Sequence, residues 1–144
     1  MHFKRTMPLV FALIALAVSA CGGDQESPSA QGSETPANRV DSVVQSFAGA
    51  LADGRAERVC ALLTASAQRA MAGGHGSCEE GASTLSRNVG PRGRQLWREL
   101  KVQGVDRSGD RAMVPAEKIT PRGAPLFDGG VKLRRVSGDW LVDV

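Results

Sequence analysis

The apolar pattern of this chain changes period once, near Gly90-Pro91. Before that point large apolar residues recur every three to four positions, and after it they alternate around turn residues. The two periods cannot exchange roles, because each brings its apolar side chains onto one face in one backbone conformation only. Val40, Val43, Val44, Phe47, Ala48 and Leu51 line one face of a first helix, and Gly54 is placed to stop it. Thr35-Pro36 has the residue types of a helix start. A second helix is expected over residues 56–63, with Val59, Cys60 and Leu63 on one side. Thr64 suits the cap of a short third helix ending at Gly73-Gly74, and Ser77-Cys78-Glu79-Glu80 has the form of a capping box that opens a fourth. Cys78, Ala82, Leu85 and Val89 then share its inner stripe.

After Gly90-Pro91 the residues predict two hairpins. Segments 100–105 and 111–116 flank the turn-rich cluster Asp106-Arg107-Ser108-Gly109-Asp110, and 131–136 and 140–144 flank Ser137-Gly138-Asp139. Residues 121–130 form a Pro/Gly-rich loop between them, and Pro115 limits the strand that holds it to an edge position. Helices first and antiparallel strands later favour an α+β domain, with the helices on one face of a bent sheet. In this arrangement Trp140 faces the core, Asp143 faces solvent, and Glu99 is placed to face inward from a strand start.

The beginning of the chain carries an address. Lys4 and Arg5 precede an apolar run of 13 residues ending at Ala20, and small residues then lead to Cys21. This is the layout of a cleaved export signal, and the run is shorter than the roughly 20 residues a membrane span needs. Leu16-Ala17-Val18-Ser19-Ala20-Cys21 resembles the lipobox of bacterial lipoproteins. The resemblance implies that the Cys21 thiol receives a diacylglyceryl group and that the chain is cut before it. Two acyl chains give stable anchoring where one gives marginal residence. The expected organisation is a signal peptide over 1–20, a flexible tether over 21–36 and a folded domain over 37–144. The tether holds Gly, Ser, Gln, Glu, Pro and Ala without a large apolar residue, and would reach about 20–25 Å. The expected location is the extracytoplasmic face of the cell membrane.

Lipidation of Cys21 leaves Cys60 and Cys78, an even pair in an exported protein. Such a pair is expected to be oxidised. A bridge between them would stabilise the fold by about 3 kcal/mol. The competing readings are a metal pair and a redox pair. A metal wants four ligands, whereas His75 is the nearby histidine, and no Cys-x-x-Cys is present.

Loss of residues 1–20 takes Lys+Arg from 18 to 16 against 15 Asp+Glu, a balance of +1. That balance, the absence of tyrosine and an exported location argue against nucleic acid as a partner. Arg87, Arg92, Arg94 and Arg98 form the densest basic stretch, with Trp97 inside it. Contact with an anionic lipid or envelope polymer is one reading of these arginines. A solvated loop and strand start, with Trp97 in the core, is the other. Asp106, Asp110 and Asp139 fall on turns, where aspartate serves the backbone, and His75 lies among glycines as an exposed loop residue. No nucleophile elbow or phosphate loop is present. The chain is therefore expected to be no enzyme and to need no cofactor or metal.

The helix ending in Asp53-Gly54, the run Val59-Cys60-Ala61-Leu62-Leu63-Thr64, the second cysteine opening a helix and the closing segment from Arg134 to Asp143 together resemble a group of small bacterial lipoproteins. Their domain is the nuclear transport factor two-like, or cystatin-like, cone. The resemblance covers residues 37–144 and implies a curved sheet and helices closing on a mouth that can be packed, bind a ligand or host catalysis. The first functional expectation is a membrane-anchored lipoprotein that binds envelope proteins or polymers through a sheet edge or the cone mouth. The second is a small-molecule binder, and the third a cyclase- or isomerase-like enzyme. A packed cone favours the first, an apolar pocket of several hundred cubic ångströms the second, and a buried acid beside a histidine or arginine the third.

Overall fold

The computed structural model describes residues 39–144. The signal segment, Cys21, the tether and the helix start at Thr35-Pro36 lie outside the described residues. Five helices are followed by six short strands: α1 (Val40–Ala52), α2 (Ala56–Ala61), α3 (Ala65–Ala72), α4 (Cys78–Asn88) and α5 (Gly90–Arg98), then β1 (Lys101–Val102), β2 (Asp106–Ser108), β3 (Arg111–Val114), β4 (Ile119–Thr120), β5 (Val131–Val136) and β6 (Asp139–Asp143). The fold is α+β, with helices packed against antiparallel sheets and one disulfide.

Helix α1 is the centre of the core. Its six patterned residues are all buried, and so are Ala50 and Ala52, because α2, α4, α5, β1 and β6 surround it. It ends where expected: Gly54 takes a left-handed φ of 67°, and its N–H donates to the Leu51 carbonyl at 3.2 Å. The buried Ser86 hydroxyl donates to the same carbonyl at 2.8 Å, so α4 also closes the last turn of α1. Thr64 caps α3 by accepting from the Ala67 N–H at 3.2 Å, and Ser77 caps α4 by accepting from Glu80.

Helices α3 and α4 approach closely at Gly81, where an added β-carbon would fall on the Met71 carbonyl. The bridge between Cys60 and Cys78, with Cα atoms 6.0 Å apart, joins α2 to the start of α4. The even pair of cysteines is thus a structural disulfide.

Residues 90–98 depart from the expected loop and strand start. They form α5, with Pro91 in its first turn, where a missing N–H costs nothing. Gly90, at φ 72°, turns the chain out of α4. Trp97 supplies the reason for the helix: it is 1% exposed and donates its indole N–H to the Pro125 carbonyl at 2.7 Å. Glu99 caps the end of α5 and is exposed, accepting from Gln95, so it does not face inward.

The main sheet has the order β2-β3-β5-β6, and β1 pairs with β4 in a separate ribbon. The second hairpin lies where expected. The first is displaced: 100–105 is not one strand, β2 begins at Asp106, and the turn narrows to Gly109-Asp110. Asp106 and Asp139 accordingly begin strands. Ala112, Val114, Val131, Leu133, Trp140 and Val142 form the buried face. Beyond β6, residues 62–64 leave the helical path and pair parallel to it, with Leu63 opposite Val142. The Thr64 N–H donates to the Val142 carbonyl and the Val142 N–H to the Leu62 carbonyl, which is why α2 stops at Ala61.

Candidate functional site

The parallel segment beside β6 changes the surroundings of Asp143. Alternation does put it on the face opposite Trp140, but that face is covered here, so the expected exposure to solvent is corrected. Its side chain is 11% exposed and accepts from the Thr64 hydroxyl at 2.6 Å and the Ser66 hydroxyl at 2.9 Å. Arg134 pairs with its second oxygen at 3.1 Å. The Thr64 hydrogen bond does most to hold the carboxyl below its ordinary value, with Ser66 and Arg134 adding to it and partial burial opposing it.

Next to this cluster, α3 and α4 stand apart from the sheet and leave a cleft of about 580 Å³. Ala67 and Met71 of α3 and Leu85 of α4 form one wall, Phe127, Val131 and Val142 the other, and Phe47 and Leu63 complete the apolar lining. Phe47 and Phe127 meet edge to face with ring centroids 6.3 Å apart. Leu126 and Val144 border the opening at 52% and 64% exposure. Leu126 has a φ of 76°, a left-handed conformation that a bulky side chain rarely takes. Behind it, Gly130 at φ 79° lies so near the Val114 carbonyl that a side chain has no room. His75, Thr84, Asn88, Lys132 and Asp143 supply the polar border. His75 is exposed at the lip, in the loop position its flanking glycines suggested.

The basic stretch separates into two groups. Arg94 donates to the Ser86 carbonyl at 3.2 Å, while Arg98 reaches Asp53 at 3.2 Å and the Ala52 carbonyl at 3.4 Å. These two close the C-terminal ends of α4 and α1, where positive charge is favoured. Arg87 donates to Thr84 on its own helix, and Arg92 is exposed on α5. At the far end of the sheet, the guanidinium groups of Arg107 and Arg135 each lie 5.9 Å from the centre of the Trp140 ring. The indole N–H of Trp140 is buried there without a hydrogen-bond partner among the described residues.

Among the described residues, no three His, Cys, Asp or Glu side chains converge on a point that could hold a metal. No helix among them is long and apolar enough to cross a membrane. Sequence reasoning found the apolar residues of α1 and β6 but not the cleft, whose walls come from segments as distant as Phe47 and Val142. No known protein family, curated protein or solved structure matches the chain.

Proposed function

We propose that this chain is a lipid-anchored, extracytoplasmic binding protein without a catalytic role, and that the cleft between α3, α4 and the sheet receives its ligand. The cleft itself is the observation that carries this reading. Its volume falls within the roughly 300–1,000 Å³ of ordinary small-molecule sites, and its lining is apolar with a few polar groups at the border. A fully packed interior would favour surface partners alone. The acid in the cleft, Asp143, is bound by two hydroxyls and an arginine, an arrangement suited to holding β6 in place rather than to accepting a substrate proton. The lipobox-like segment ending at Cys21 supports the anchor, and the resemblance to the nuclear transport factor two-like cone supports a mouth that binds.

Filling the cleft tests the reading. Ala70 is exposed on α3 and borders the cleft, so Ala70→Trp adds bulk without entering the core. A fluorescent apolar probe should bind the full chain carrying Cys21→Ser and lose at least about tenfold in affinity in the filled variant, the equivalent of about 1.4 kcal/mol. Probe binding unchanged by Ala70→Trp would remove the cleft from the proposal.

The outer edge of β2 favours a second reading, in which an envelope protein adds a strand there. All three β2 residues are exposed, and β3 lies on its other side. Crosslinking from residue 107 in intact cells, with partners read by mass spectrometry, tests it. A partner captured reproducibly from that edge supports it, and capture of the lipid phase alone removes it.

A further inference from the structure

We infer that the ligand of the cleft is a single-chain anionic amphiphile, a long-chain carboxylate whose chain lies between α3, α4 and the sheet and whose head meets Lys132. The inference rests on the cleft being a binding site at all, and adds the chemistry of what fills it. Among the described residues, Lys132 and Asp143 carry the only Lys, Arg, Asp or Glu side chains that line it. Asp143 is already engaged by Thr64, Ser66 and Arg134, and is only 11% exposed. It has little left to offer a cationic head.

Lys132 differs. It lies directly across from Asp143 in the register of β5 and β6, on the same sheet face at the cleft border, yet its side chain makes no ion pair or hydrogen bond among the described residues. Among the described side chains of the lining, the charge left unmatched is therefore positive. Leu126 and Val144, both exposed, extend the apolar surface out to the opening. The left-handed backbone of Leu126 is the kind of local strain that a binding site retains. An apolar interior, two exposed apolar side chains at the lip and one unmatched cation in its polar border fit a chain ending in a carboxylate. The fit is poor for a polar ligand, which would leave its hydrogen-bonding groups against hydrocarbon.

Oleate, oleyl alcohol and oleylamine share one chain and differ in head charge, so their competition for a bound apolar probe isolates the head. The measurement uses the full chain carrying Cys21→Ser, which has no acyl group of its own at residue 21. Oleate should displace the probe better than the alcohol. Lys132→Gln should weaken oleate by about three- to fivefold, the range of a solvent-facing charge pair, and leave the alcohol unchanged. Salt should weaken oleate and not the alcohol on the unsubstituted Lys132 background, a readout that needs no altered fold. Equal competition by acid and alcohol, or a preference for the amine, would overturn the inference while leaving the cleft as a binding site. Failure of the probe and all three lipids to bind would overturn the inference and the binding role together.

Discussion

The carboxylate of Asp143 links β6 to two other parts of the chain: Thr64 and Ser66 at the start of α3, and Arg134 on β5. Replacing it leaves the buried Thr64 hydroxyl only its neighbour Ser66, at 2.9 Å, and a lost hydrogen bond to a charged group costs about 1.5–3 kcal/mol. Asp143→Ala should lose that much in urea unfolding at neutral pH. The dependence on pH has a definite sign. A carboxyl held below its ordinary value of 3.8 in the fold contributes stability that is complete above that value and is lost as pH falls through the lower, folded value. The gap between the wild type and Asp143→Asn should therefore hold at neutral pH and shrink as pH falls below about 4. A gap that stays constant across that range would show that the charge of Asp143 contributes nothing. None of this was legible from alternation along β6. Alternation gives the face on which a side chain lies, but not whether another segment covers that face.

Elements differ in how openly the residues announce them. In α1 six apolar residues share one stripe, and the helix lies where that stripe predicts. In α5 the run Gly90-Pro91-Arg92-Gly93 has the composition of a break, and Trp97 packing against the loop at Pro125 overrides local propensity. The first hairpin lies away from its expected place for a related reason: β2 is polar and exposed throughout, so it has no alternation to separate it from its turn.

Two further consequences belong at this scale. Gly81→Ala would stabilise an isolated helix, but here the new methyl meets the Met71 carbonyl. It should destabilise the domain by about 1–3 kcal/mol, seen as a lower thermal midpoint. A midpoint equal to or above that of the wild type would mean that α3 and α4 can separate freely. Reduction of Cys60–Cys78, which encloses a separation of 18 residues, should lower the unfolding free energy by about 3 kcal/mol in guanidinium with reductant present. The double Cys60→Ser, Cys78→Ser variant should match the reduced protein.

At the scale of the whole molecule, the α+β class was readable from the order of periods, whereas the cleft arises only when segments far apart in sequence come together. The proposed anchor makes its own prediction. The full chain should sediment with membranes and take up label from a fatty-acid precursor, and Cys21→Ser should abolish both, because two acyl chains are what give lasting residence. Retention of the serine variant in the membrane fraction, still labelled, would assign attachment to another atom.

The join between residues 62–64 and β6 governs timing as well as shape. Its partners stand 79 positions apart, the separation of Thr64 from Asp143. Ribosomal synthesis runs from one to the other, so those apolar side chains of the early helices that pack against β6 stay uncovered until the stretch around Val142 emerges. Closure over so long a loop is slow compared with local coiling. The interval in which a nascent copy can stick to its neighbours therefore lasts almost as long as translation of the domain itself.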